Sequence, residues 1–302
     1  MQVSRFAAKY VRHIVETRGY SPRSAESYHD DYLQFVAYLQ SRGDRDDMRD
    51  FTGDTVAGFV AFLQSHGIGA STIGKKLSAL SSLAKYALTQ KDDRGRYFLN
   101  ENPVQRVERP RRIRPTRKFL RRDELTAFRT VEAEPHEAIA RDLFIDTWLR
   151  VSELATANVE DLWIDQKNRV ILSVIVKGRG RQEEKVHIPL EPALAERLTA
   201  LLRQREAGPK DPLLVNSQGN RYSRQCLGEA MKRLGHRAGI ERLQVRPHAI
   251  RHTCNVLGRQ AGLDPVQRAK LLNHTDANSV TRYDHLLPDE TIEARDRYRS
   301  SL

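Results

Sequence analysis

The chain has 302 residues, and 51 Lys plus Arg against 39 Asp plus Glu leave a formal net charge of +12, so it is long enough for two cores and its surface attracts a polyanion, nucleic acid first. No run approaches the roughly 20 apolar residues of a membrane span, and the segment MQVSRFAAKYVRHIVETRG lacks the apolar core of a signal peptide, which excludes a helical membrane protein and predicts a cytoplasmic one. Cys226 and Cys254 are its two cysteines and form no CxxC pair, which excludes a disulfide framework and a cysteine zinc site and leaves both as reduced packing residues.

In chain order, the first third reads as helices joined by short polar loops. In GYSPRSAESYHDDYLQFVAYL, Ser21 is an N-cap with Pro22 at the first helical position, and Tyr28, Tyr32, Phe35, Val36 and Leu39 recur at helical spacing. A second helix carries Val56, Phe59, Val60 and Leu63 after Thr52; a third carries Ile73, Leu77, Leu80 and Leu83 after Ser71. These predict a helical bundle over residues 1–105.

The composition then changes. RVERPRRIRPTRKFLRR, from Arg106 to Arg122, holds nine basic residues, two prolines and one acid. Prolines stop a helix and like charges keep the segment extended, so residues 106–118 read as a basic linker suited to lie along phosphates. Arg106, Arg109, Arg111, Arg112, Arg114, Arg117 and Lys118 are its candidate DNA contacts, joined by Lys75 and Lys76 on the third helix.

From 119 to 302 a second domain is predicted, mainly helical with a small β element. FLRRDELTAFRTV and HEAIARDLFIDTWLRVSELATAN keep helical periodicity. RVILSVIVKGRGRQEEKVHIPL is two β-branched runs about a Gly-rich turn and predicts a hairpin; helices return from Pro192.

Several residues could carry chemistry. Arg150 and Glu153 are spaced for an exposed helical ion pair with Leu149 and Leu154 inward. Lys177 ends the first hairpin run, beside glycines that free the backbone, where an ammonium can reach a ligand as a proton donor. In PHAIRHTCNVLGRQAG, His248 and Arg251 share a helical face that suits a phosphate: the guanidinium offers a fork to two oxygens and imidazole exchanges protons near neutrality. A zinc reading of His248 and His252 fails for want of the Glu of HExxH or other acidic or cysteine ligands. His274 is followed nine residues later by Tyr283, which Arg282, Asp284 and His285 surround, a polar setting for a packing residue.

In this order, LRVSEL, VKGRGRQ, HAIRH, LLNH and TRYDHL resemble the tyrosine recombinases, or phage integrase family, and RGYSPRSAESYHDDYLQFVAYL resembles the opening helices of their N-terminal core-binding domain. The size is similar to that of the simple, two-domain Xer-like members. The resemblance implies a SAM-like helical DNA-binding domain, a catalytic domain of α+β class, and DNA strand exchange by transesterification through a Holliday junction. It implies that Arg150, Arg251 and His274 bind the scissile phosphate, that Tyr283 attacks it to give a 3′-phosphotyrosyl link, that His248 helps move the tyrosine proton, and that Lys177 protonates the leaving 5′-oxygen. The expected partners are double-stranded DNA with a specific site, three further copies of the chain in a tetramer, and accessory proteins. No cofactor is expected: the chain has no GxxxxGK[ST] loop and no carboxylate cluster for metal ions. Trp148 and Asn273 stand where the family usually has Gly. Asn is the mild replacement at a left-handed helix end, whereas the indole beside Arg150 puts the local packing in question. Two rival readings are a type IB topoisomerase-like enzyme, which the N-terminal helices oppose, and a non-catalytic sequence-specific DNA-binding regulator, which six catalytic positions in order oppose.

Overall fold

The computed structural model describes residues 1–111, 118–177 and 183–273. The chain forms two compact units, Met1–Thr116 and Arg117–Leu302, which divide inside the basic segment. Among the described residues no helix is long and apolar enough to cross a membrane.

Unit 1 is built from α1 (Val3–Glu16), α2 (Pro22–Ser41), α3 (Gly53–Ser65) and α4 (Ala70–Ala87). Ser21 caps α2 through its hydroxyl, which accepts from the Ser24 N–H, with Pro22 at the first helical position. Thr52 and Thr55 cap α3 reciprocally. The fourth helix starts at Ala70, before the expected Ser71, because Gly69 takes the extended N-cap conformation without a side-chain bond. Phe6, Tyr10 and Ile14 of α1 pack with Tyr32, Phe35 and Leu39 of α2 and with the Ile73, Leu77, Leu80 and Leu83 stripe of α4, all nearly inaccessible.

Unit 2 comprises α5 (Arg122–Thr130), α6 (Pro135–Thr147), α7 (Val151–Thr156), β1 (Leu162–Ile164), β2 (Val170–Lys177), β3 (Glu183–Pro189), α8 (Pro192–Gln204), α9 (Arg224–Arg237), α10 (Pro247–Gln260) and α11 (Pro265–Leu271). The sheet is antiparallel in the order β1-β2-β3. Leu162 pairs with Leu172 and Ile164 with Val170, whereas β2 and β3 pair from Ile171 opposite Pro189 to Lys177 opposite Glu183. The predicted hairpin is β2–β3; β1 extends it, and the turn residues 178–182 lie outside the described residues. Leu172, Val174 and Val176 point into the core with Leu143, Phe144, Leu198 and Leu234, as period-2 alternation on a half-buried sheet requires.

The stretch 136–158 differs from its sequence reading. It is not one helix: α6 ends at Thr147, Trp148 turns left-handed at φ 54 and ψ 22, and Arg150 is the extended N-cap residue of α7. Leu149 and Leu154 are buried as expected, but the break, not helical continuity, sets where Arg150 points.

Candidate active site

Arg150 is held by its own helix start. Its backbone N–H donates to Glu153 Oε2 at 2.7 Å and its Nη1 to Glu153 Oε1 at 2.6 Å, a reciprocal cap that uses both carboxylate oxygens. The Glu153 side chain is 5 % exposed and that of Arg150 is 40 % exposed, so a buried carboxylate anchors a guanidinium that still reaches solvent. The pair is therefore more than an exposed surface contact, and Glu153 joins the site as a residue the sequence offered only as a surface ion-pair partner. Helix α7 packs on β2, which places Arg150 in the same layer as the strand that Lys177 closes. Lys177 is the last β2 residue, opposite Glu183; its side chain lies outside the described residues.

Helix α10 starts with Pro247 at its first position after Arg246. His248 is exposed in its first turn and Arg251 is 6 % exposed one turn on. The Arg251 guanidinium is held by two backbone carbonyls: Nη1 donates to Trp148 O and Nη2 to Leu272 O. Five N–H donors project from a guanidinium, so two such bonds orient the group without exhausting it. Burial, and next the repulsion of the Arg150 charge, push Arg251 down to about 10 while the Glu153 carboxylate works the other way. Arg251 stays cationic at neutral pH, and it feels the repulsion of Arg150, whose own guanidinium is tied to Glu153.

Trp148 and Asn273 are both left-handed, at φ 54 and φ 47, the region that favours glycine. The left-handed turns survive without the glycine, and each sits at or beside a carbonyl that grips Arg251. His252, half-buried, meets the Phe119 ring edge-on, in support of α10. His274 and Tyr283 lie outside the described residues, as does the tail beyond them. Among the described residues no cluster of three or more His, Cys, Asp or Glu could hold a metal ion.

The candidate DNA contacts separate. Arg106, Arg109, Arg111 and Lys118 are exposed; Arg112, Arg114 and Arg117 lie outside the described residues. Arg109 joins Lys85, Ser81, Asn102 and Gln105 around a polar hollow of unit 1, a grouping that adds Lys85 to the cationic set. Lys118 donates to Arg242 O at 3.0 Å. Lys75 is exposed on α4 and donates to Ser27 Oγ at 2.6 Å. Lys76 is the correction: its ammonium is buried on Asp31 Oδ1 at 2.7 Å, with side chains 9 % and 6 % exposed, so it braces α4 on α2 and is withdrawn from the DNA contacts.

The helical unit with its small antiparallel sheet, preceded in the chain by a helical bundle, matches known protein families. Residues 118–290 match the phage integrase family and residues 7–91 match the phage integrase N-terminal SAM-like domain. The chain belongs to the phage integrase family, that of the tyrosine recombinases. It is 30 % identical over 283 residues to tyrosine recombinase XerC of Staphylococcus carnosus (strain TM300), covering 89 % of this chain and 88 % of the relative. It is 28 % identical over 302 residues to tyrosine recombinase XerC of Bacillus subtilis (strain 168), covering 94 % and 92 %. In fold it resembles the XerH site-specific recombinase in a post-cleavage complex with a palindromic difH substrate, at TM-score 0.76 and 18 % identity over 97 % of this chain and 85 % of that one.

Proposed function

We propose that this protein is a site-specific recombinase that cuts and rejoins duplex DNA through a 3′-phosphotyrosyl intermediate and a Holliday junction, without nucleotide or metal. The observation that carries this reading is that two guanidinia are held about the Trp148 turn, Arg150 by Glu153 and Arg251 by the carbonyls of Trp148 and Leu272. A phosphodiester approached by a nucleophile gathers charge on its nonbridging oxygens, and two preorientated guanidinia neutralise that charge without reorganising.

The Tyr283 oxygen attacks phosphorus as the P–O5′ bond breaks. The phenolic proton passes to His248, and Lys177 gives a proton to the departing 5′-oxygen, so a neutral hydroxyl leaves. His274 adds a hydrogen bond to the phosphate. Attack by a second 5′-hydroxyl reverses each transfer and frees Tyr283; bond energy is conserved in the ester, so no external energy source enters. Two partner duplexes and four copies of the chain meet the stoichiometry of such an exchange. DNA as substrate places the protein in the cytoplasm with the nucleoid.

Relatives named as tyrosine recombinases, and a fold neighbour solved as a post-cleavage complex with its difH substrate, support the reading. The test is covalent capture on a duplex nicked beside the cleavage point, in EDTA and without nucleotide. An SDS-resistant adduct forms with the wild type and with Tyr298→Phe, and disappears in Tyr283→Phe. An adduct that persists in Tyr283→Phe, or one that needs added magnesium, would refute the assignment.

A further inference from the structure

We propose that Trp148 is a positioning residue for Arg251: its indole, seated in the space that Gly258 leaves on α10 and packed on Ala269 of α11 and on Leu272 at that helix's C-cap, sets the two backbone carbonyls that aim the guanidinium. This rests on the reading that Arg251 engages the scissile phosphate.

Two locally unfavourable choices meet at one contact. Position 148 needs a left-handed backbone, φ 54, which glycine adopts without cost and an L-residue with a large side chain resists. Position 258 lies within a helix, where glycine forfeits propensity against almost any other residue. Yet a Cβ on Gly258 would lie 2.7 Å from Cη2 of Trp148 and 3.2 Å from Cδ1 of Leu263. The indole and the missing side chain are thus complementary halves of one volume.

Across that contact the ring reaches Ala269 and Leu272. Trp148 O accepts from Arg251 Nη1, and Leu272 O accepts from Nη2. The same tryptophan therefore supplies one carbonyl through its backbone and fixes the residue that supplies the other through its side chain. Glycine at 148 would keep the turn and the first carbonyl but remove the side-chain support of the second; Arg268 Nη1 of α11 would still donate to Asn255 Oδ1 of α10, so the helices stay tied while the Leu272 carbonyl loses its backing. Displacement of a catalytic group by about 1 Å costs on the order of a hundredfold in rate.

The test is a set of variants of the full chain: Trp148→Gly, Gly258→Leu and the two combined, with single-turnover cleavage of the nicked duplex at saturating DNA, DNA affinity, and thermal unfolding. Trp148→Gly is expected to slow cleavage tenfold or more with affinity within about twofold, Gly258→Leu to slow it through the clash, and the pair to recover most of the rate. The positioning role is read from coupling to Arg251. Starting from Arg251→Lys, which keeps the charge but not the fork held by the two carbonyls, adding Trp148→Gly is expected to cost little more. An equal fold loss in both backgrounds, a Trp148→Gly variant that cleaves like the wild type, or a combined variant no faster than the slower single one would overturn the proposal. A wild type that makes no adduct would fail the functional reading instead; the volume match is then decided by the midpoints, where both single variants melt lower, and a combined variant melting no higher than they do overturns it.

Discussion

At the scale of single residues, adjacent positions have opposite fates for reasons of angle alone. Lys75 and Lys76 are one step apart on α4, which is about 100° of rotation; one reaches solvent and the other is buried on Asp31. Lys76→Ala would strand the Asp31 carboxylate, whose Oδ2 already lacks a hydrogen-bond partner among the described residues, and is expected to cost about 3–5 kcal/mol in denaturant unfolding, with much of it restored in Lys76→Met/Asp31→Leu. The cysteines divide likewise. Cys226 is exposed, whereas burial pushes the Cys254 thiol up to about 12 and its Sγ meets Ile145 O at 3.6 Å. A thiol reagent should titrate one equivalent in the native protein and two in denaturant; two in the native protein would mean that the packing of α10 on α6 opens readily. The sequence made both cysteines packing residues, which holds for Cys254 alone. Residue types reveal which groups can do chemistry; which of two lysines or two cysteines faces inward depends on helix phase, and a helix start misread by one or two residues erases it.

At the scale of elements, the capping rules read well and the breaks read poorly. Ser21-Pro22 and Thr52 mark helix starts by hydrogen bonds their side chains must make. The turn between α6 and α7 had no such mark, because a tryptophan in left-handed conformation carries none of the composition of a turn, and β1, three residues long, is too short to show alternation. Another tie between elements was invisible because its partners are 118 residues apart. Glu124 of α5 accepts from Arg242 Nε at 2.5 Å, and the same arginine donates to Phe119 O at 2.6 Å. The Arg242 guanidinium, and next the Arg121 backbone N–H, hold the Glu124 carboxyl below the usual range. A carboxyl with a depressed folded value stabilises the fold above its ordinary range, and loses that contribution as pH falls through the lower folded value. Arg242 is 36 % exposed, so solvent screening keeps the gain small. Glu124→Gln should therefore unfold about 1 kcal/mol more easily at neutral pH, and the difference should shrink as pH falls below the ordinary carboxylate range; a gap that widens on acidification would contradict the sign.

At the scale of the whole molecule, the charge excess of +12 becomes a statement about ions. If about six to ten phosphates are neutralised, DNA affinity falls about 10³ to 10⁵ between 50 and 200 mM salt. Replacing Arg111, Arg112 and Arg114 together with alanine should lower the log–log salt slope by about 3, one counterion for each contact, as read by titration at several salt concentrations. An unchanged slope would take the basic segment out of the interface. The order of the five motifs along the chain, more than any one of them, made the family legible, because the proposed site residues fall in α7, β2, α10 and the sequence after α11 and so leave widely spaced marks.

The uneven lengths of the strands have a mechanical consequence. β1 flanks β2 only from Val170 to Leu172, whereas β3 follows it to Lys177. The sheet is thus a cantilever: clamped across three strands at its root, it runs on as a two-stranded ribbon for the five residues beyond Leu172, a span of about 17 Å. Val174 and Val176 prop it from the core side, and Ile175 faces solvent on the other. Such a beam is stiff against a load that presses it onto the core and compliant to one that lifts it away, so the backbone of Lys177, the proposed proton donor at its end, is steered along one direction of travel.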